Sequence, residues 1–299
     1  MNICIVADTR TIEDHILGKK AHEGWNERPC YLVNKIMREN GCPVNYRLIE
    51  DTFHSAKGDV AMLHLDCTFH SPCQIESASS FNGIMLNQRV IDISKRKVQK
   101  EYTSIGGKSL MLSKEESYKG KVIIKSDYNS GDPQGKWYLT MQNEEVPSEL
   151  WEKTGVIIQK FVASPTGKLK RMDRYVLFLD ELVVCSFFSE EDIIKRKTSI
   201  WQYRRDIELL ERDRNIMPLK SLNESGIFYS PFSEIERRNY QIIKKLAKRM
   251  GLDFGSIDTI TDENNDLHVL DVNKTPWERG IPKGFLHIFY DAFAKKFRT

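Results

Sequence analysis

The chain has 299 residues, 40% apolar and 29% charged, and its 45 Lys and Arg nearly balance 42 Asp and Glu, for a formal net charge of +3. This composition excludes a collagenous, mucin-like or wholly disordered chain, and the length suits roughly two domains with a sizeable core. No apolar run approaches the ~18 residues of a membrane-spanning helix, and the balanced charge gives no reason to expect nucleic-acid or membrane-surface binding.

Asn2–Ala7 is a short apolar run ending at Asp8, which reads as a first core strand and lacks the basic segment of a secretory signal. His15–Cys30, which holds Gly18, Gly24 and Pro29, reads as a loop in which His15 and His22 are the polar residues of interest. Tyr31–Asn40 has apolar residues at 32, 33, 36 and 37 and stops at Gly41 with Pro43 beyond, a helix ending. Val44–Ile49 and Val60–Leu65 read as strands, and Ile84–Ile93 as another, folded into a hairpin through Asn87-Gln88. Strands alternating with helices predict an α/β domain with a largely parallel sheet over residues 1–91. The six cysteines (4, 30, 42, 67, 73 and 185) form no CxxC pair and no zinc spacing, so reduced thiols and a cytoplasmic location are expected.

From residue 92 the pattern changes to α+β. Lys95-Arg96-Lys97 opens a helix, Gly106-Gly107 marks a loop, and Val122–Lys125 is a strand of β-branched residues ending in a lysine. A Gly-containing segment, 126–135, follows it. Val156–Val162 and Tyr175–Phe188 are strands, the second with a turn at Asp180-Glu181. Ser233-x-x-Glu236 is a capping box opening a helix that Gly251 closes. Lys195-Arg196-Lys197 and Arg204-Arg205 read either as a solvated helix face or as a site for an anion. His64-x-Asp66-x-Thr68-x-His70 has period two, so these side chains share one face of a strand end. They are read as a structural turn, a lining of a substrate pocket, or metal ligands.

The segment Gly255–Asn273 has turn residues at its centre, Asp262–Asp266, and apolar alternation on both sides, so it is a β-hairpin. Pairing Thr261 with His268 places Ile260 opposite Val269, Asp258 opposite Asp271 and Ser256 opposite Asn273. Two carboxylates directly opposed repel unless a cation lies between them. With the amide oxygen of Asn273 they form a hard oxygen donor set suited to Mg²⁺ or Mn²⁺.

This hairpin, followed by Lys274-Thr275-Pro276, resembles the C-terminal signature of the ATP-grasp superfamily, which includes D-alanine–D-alanine ligase, glutathione synthetase and the ribosomal-protein glutamate ligases. Other pieces stand in the matching order. Asp92-Ile93-Ser94-Lys95 resembles the lysine at the entrance to the nucleotide domain, and Val122–Lys125 with its loop resembles the strand lysine and phosphate lid. Val156–Val162 is similar to the strand and hinge whose backbone receives adenine. Asp173-Arg174 resembles the basic strand residue beside the transferred phosphate.

The resemblance implies an ATP-grasp fold with a pre-ATP-grasp domain at 1–91, a central subdomain at 92–162 and a C-terminal subdomain at 163–299. It implies ATP and Mg²⁺ (or Mn²⁺), with Arg174 and Lys125 as catalytic residues. Lys95, Lys125, Gln159, Lys160, Phe161 and Val162 would bind nucleotide, and Asp258, Asp271 and Asn273 would hold the metal. The implied reaction joins a carboxylate, activated as an acyl phosphate, to an amine. Expected partners are small-molecule or peptide carboxylate and amine substrates and a second copy in a homodimer, with no nucleic acid and no membrane. Three departures stand out: Ser256 where many such ligases carry Arg, few glycines in the lid (Gly131 and Gly135), and Trp277-Glu278 where Gly is usual. A small-molecule kinase on the same fold, a non-catalytic nucleotide-binding protein and a charge-driven nucleic-acid binder are the alternatives.

Overall fold

The computed structural model describes residues 3–7, 44–48, 58–65, 67–129, 137–164, 169–194, 199–206, 228–275 and 283–297. They form three sheets. The first contains β1 (Ile3–Ala7), β2 (Val44–Leu48), β3 (Val60–His64) and β4 (Ile84–Leu86) in the order β2-β1-β3-β4, with all neighbours parallel. β3 is buried along its whole length, as a central parallel strand covered on both faces must be. Helix α1 (Pro72–Ser79) lies between β3 and β4 in the chain. The helix expected at 31–40 and the loop with His15 and His22 lie outside the described residues.

The hairpin expected through Asn87-Gln88 does not form. β4 ends at Leu86, and Asn87 takes a left-handed conformation (φ 63°). Its side chain bonds across the molecule instead: Nδ2 donates to Phe254 O at 2.8 Å, and Oδ1 accepts from the Asp253 and Phe254 N–H groups. A short polar side chain that bonds backbone in this way competes with ladder formation.

The second sheet is antiparallel: β5 (Lys121–Ser126) lies between β6 (Tyr138–Gln142) and β7 (Val156–Lys160), with α3 (Ser148–Glu152) joining β6 to β7. The third contains β8 (Lys170–Phe178), β9 (Glu181–Ser189), β10 (Ile200–Asp206), β11 (Phe228–Ser230), β12 (Phe254–Thr261) and β13 (Leu267–Asn273), in the order β11-β10-β9-β8-β12-β13. Its neighbours are antiparallel except β10 and β11. The β8–β9 turn falls at Leu179-Asp180, one residue earlier than expected, because Phe178 pairs with Glu181.

One face of the third sheet (Tyr175, Leu177, Ile257, Val269, Val272) packs under α2 (Lys95–Ser104) and α4 (Glu234–Met250). The other face (Val176, Phe178, Phe187, Phe254) packs against Ile288, Phe289 and Phe293 of α5 (Lys283–Phe297) and against Met62 and Leu86 of the first sheet. The capping box of α4 is present, and Gly251 closes the helix at φ 73°. Within α2, Gln99 Nε2 donates to Val269 O and Tyr102 Oη to Leu267 O, both at 2.6 Å. These bonds tie α2 to β13 and bring Lys95, its first residue, to the acidic end of the hairpin.

Candidate functional site

The β12–β13 register matches the expectation where it matters for the site: Ser256 pairs with Asn273, Ile257 with Val272 and Asp258 with Asp271. Beyond Asp258 it shifts by one, so that Thr259 faces Val269 and Ile260 faces His268, instead of Thr261. The bulge leaves Leu270 as the extra residue. The turn sets the outer register. Asp262 Oδ1 accepts from the Asn264 and Asp266 N–H groups, and Asp262 Oδ2 lies 2.8 Å from His268 Nε2.

Five charged side chains converge at the inner end. Arg174 lies opposite Asp258 on β8; its Nε and Nη2 contact the two carboxylate oxygens at 2.6 and 2.7 Å. Lys95 Nζ is 3.7 Å from Asp271 Oδ1 and donates to Tyr128 O at 2.9 Å. Lys125 reaches over from the second sheet and donates from Nζ to Leu270 O at 3.2 Å. Asn273 Oδ1 accepts from the Thr275 N–H at 2.8 Å. Among the described residues no group of three or more His, Cys, Asp or Glu side chains is placed to hold a metal ion. The expected set has two carboxylates and an amide, and in donor chemistry these hard oxygens fit Mg²⁺ or Mn²⁺.

Over its whole length the chain superposes on solved ligases. The ligase PsnB, complexed with a minimal precursor, gives a TM-score of 0.58 at 12% identity over 98% of this chain and 99% of that one. The D-alanine–D-alanine ligase of Bacillus anthracis gives 0.55 at 12% identity over 100% and 98%. The chain has the ATP-grasp fold. The macrocyclase MdnC of Microcystis aeruginosa MRC, bound with its precursor peptide MdnA, gives 0.53 at 13% identity over 99% of both chains, and PsnB is also solved with Mg and ADP. No protein-family model matches the chain, and no curated protein matches it in sequence.

Of the residues expected at the adenine hinge, Gln159 and Lys160 end strand β7, and Phe161 and Val162 follow it. Gln159 is fully buried, with Nε2 3.6 Å from Met111 Sδ. The Lys160 N–H donates to Leu110 O and the Phe161 N–H to Lys121 O, so both are committed within the fold. Lys160 Nζ lies over the Tyr118 ring, and Val162 follows in extended chain.

The Arg204-Arg205 pair is on strand β10, not on a helix face. Arg204 bonds Glu236 at 2.7 Å and Arg205 bonds Glu181 at 2.6 Å, so each guanidinium is paired with a carboxylate. Arg171 also bonds Glu236, at 2.9 Å, and Asp173 at 2.8 Å. Arg171, Asp173, Arg204 and Glu236 line a cavity of about 390 Å³ beside the first turn of α4. Lys195-Arg196-Lys197, Asp66, Gly131, Gly135, Trp277 and Glu278 lie outside the described residues.

Two residues that position the site carried no sequence signal of their own beyond lying within the Gly-containing segment 126–135. Asp127 Oδ1 accepts from the Arg96 N–H at 2.9 Å and fixes the start of α2. Asn129 sits at the junction of three units. Its N–H donates to Thr68 Oγ1, its Nδ2 to Val272 O, and its Oδ1 lies 3.4 Å from Lys95 Nζ.

Proposed function

We propose that the protein is an ATP-dependent ligase that activates a carboxylate as an acyl phosphate and joins it to an amine or similar nucleophile. The observation that carries this reading is the convergence of Lys95, Lys125 and Arg174 on the opposed pair Asp258 and Asp271. Phosphoryl transfer needs charge neutralised on phosphate oxygens and reactants held in line, with little covalent help from the protein. Lys95 and Lys125 supply point charges for the α- and β-phosphates. The Arg174 fork suits the transferred phosphoryl group. Gln159, Lys160, Phe161 and Val162 form the edge that receives adenine, through groups other than the Lys160 and Phe161 N–H, which are bonded within the fold.

Asp258, Asp271 and Asn273 would hold Mg²⁺ or Mn²⁺, which would supply positive charge to offset that of the phosphates. A carboxylate oxygen attacks the γ-phosphorus, the bond to the bridging oxygen breaks, and ADP leaves. The amine nitrogen then attacks the acyl carbon, inorganic phosphate leaves, and the nitrogen loses its proton to solvent. The PsnB structure with Mg and ADP supports the choice of ligands.

The test is calorimetry with a non-hydrolysable ATP analogue, with and without Mg²⁺, on wild type and Asp271→Ala. Magnesium-dependent binding that the substitution weakens is expected, and absence of binding by the wild type overturns the reading. Screening carboxylates with amines for phosphate release follows. A stable phosphorylated product in place of free phosphate would identify a kinase on the same fold.

A further inference from the structure

A cavity of about 630 Å³ opens where the β8–β9 turn meets β4 and the ends of α4 and α5. Neither the cations of the nucleotide site (Lys95, Lys125, Arg174) nor Asp258 and Asp271 line it. Its floor is apolar, formed by the buried side chains of Leu177, Leu179 and Leu252. The charged groups around it are Arg89, Lys244, Lys248 and Lys296 on one side of the balance and Asp180 and Asp253 on the other. Positive charge is in excess.

Local structure fixes where these cations stand. Lys244 and Lys248 are one helical turn apart on α4 and so share a face. Gly251 closes that helix, and a Cβ there would lie 2.6 Å from Arg89 Cβ, so the bare backbone lets Arg89 close against the helix end. Asn87 bonds Asp253 and Phe254 through its N–H and its side chain, which ties the segment carrying Arg89 to the start of β12. Lys296 comes from the last turn of α5. Burial raises the pKa of Asp253, and the Asn87 N–H, Lys296 and Arg89 act against it, so both cations reach this carboxylate by charge.

Helix dipoles favour lysine at the ends of α4 and α5, but they account neither for Arg89 nor for the concave wall. Other cations around α4 have carboxylate partners: Arg249 bonds Glu101 at 2.7 Å, and Arg204 and Arg171 bond Glu236. The side chains of Arg89, Lys244, Lys248 and Lys296 make no ion pair or hydrogen bond among the described residues, and Lys244 and Lys296 lie over the rings of Tyr240 and Phe297. A basic rim over an apolar floor complements an anion that carries an apolar group, and the volume is that of a small-molecule pocket. A phosphoryl group suits the rim better than a carboxylate. Its near-double charge and three terminal oxygens can meet cations that arrive from three separate elements, where a carboxylate has two oxygens.

We propose that this cavity is a second ligand site, separate from the nucleotide site, that takes a small organic phosphate. The phosphoryl group lies among Arg89, Lys244, Lys248 and Lys296, and the apolar part packs on Leu179 and Leu252. The site does not depend on the ligase reading above.

The test uses phenyl phosphate and saturation-transfer NMR, with the non-hydrolysable ATP analogue and Mg²⁺ present to occupy the nucleotide site. Transfer to the phenyl protons is expected in the wild type, and weaker transfer to phenol, which lacks the phosphoryl group. Lys248→Met and Lys296→Met, with folding checked by circular dichroism, should each weaken binding about tenfold. Lys125→Met removes the same charge from the nucleotide site and should leave phenyl phosphate binding unchanged. The site is overturned if the wild type gives no transfer, if phenol binds as well as phenyl phosphate, or if the two cavity variants bind as the wild type does. It is overturned too if Lys125→Met weakens binding as much as they do, the result expected of general charge attraction.

Discussion

Arg174 and Asp258 face one another across β8 and β12, and the guanidinium closes on both carboxylate oxygens, Nε at 2.6 Å and Nη2 at 2.7 Å. On its other side Asp258 meets Asp271 across β13, and Lys95 lies 3.7 Å from Asp271. The row therefore runs cation, anion, anion, cation. Two opposed carboxylates that would repel are held together by a positive charge at each end.

Arg174→Gln removes one end of this row and leaves Asp258 beside Asp271 without its guanidinium. Removing one partner of a buried ion pair costs about 3 kcal/mol, so the variant should unfold at lower temperature in metal-free buffer. Mg²⁺ should then raise its melting temperature more than that of the wild type, because the ion replaces the missing charge. Thermal melts with and without Mg²⁺ measure this. Equal responses in the two proteins would show that the guanidinium does not hold the acidic pair.

Behind the sheet, Glu236 carries a second charge balance. Burial alone would raise its pKa, but hydrogen bonds from Arg204, from the Ser233 N–H and from Arg171 outweigh it and hold the carboxyl at about 2, against an ordinary 4.5. A carboxylate with a depressed folded-state pKa contributes stability that is present above the unfolded value and lost as pH falls through the folded one. The window is thus pH 4.5 down to 2. For a partly buried group the contribution is about 2 kcal/mol. Glu236→Gln should be less stable than wild type by that amount at pH 7, and the gap should close as pH approaches 2. Urea midpoints across the range test it; a constant gap would contradict the assignment.

These two networks differ in how far the sequence revealed them. The inner register of the hairpin was legible because Ile257 and Val272 alternate with the polar positions, and a slip of one residue would expose them. The outer register was not. The bulge at Leu270 answers to turn hydrogen bonds of Asp262, and apolar alternation carries no trace of it. Lys125 was legible as a charge ending a β-branched strand. Arg204 and Arg205 were misread because their partners, Glu236 and Glu181, lie 32 and 24 residues away. Asn87 read as a turn residue for the same reason: its bonds reach Asp253 and Phe254.

Lys125 spans from β5 to the carbonyl of Leu270, the residue before Asp271. Losing that bond in Lys125→Met should cost about 1 kcal/mol of stability. Losing a charge from a phosphate site should weaken nucleotide binding about tenfold. The affinity should also depend less steeply on salt, since one ionic contact is gone. Calorimetry at several salt concentrations reads both effects, and an unchanged salt dependence would place Lys125 outside the phosphate site.

Gly255 tests how the hairpin end is held. A Cβ there would sit 2.6 Å from the carbonyl oxygen of Asn273 and within 3.0 Å of both Leu252 methyls. Leu252 can turn, but the Asn273 carbonyl belongs to backbone paired with Ser256 and must move with its strand. Overpacking of this kind costs about 1–3 kcal/mol. Because Asn273 and Asp271 shift together, Gly255→Ala should lose both stability and Mg²⁺-dependent nucleotide binding. Gly251→Ala is the comparison. Its φ of 73° and a Cβ 2.6 Å from Arg89 Cβ also make it costly, by about 1 kcal/mol or more. That strain falls at the end of α4, outside the acidic row, so nucleotide affinity should remain near the wild-type value. Melting temperature and calorimetry on both variants separate the two effects. Wild-type affinity in Gly255→Ala would mean that the position of Asn273 does not govern the site.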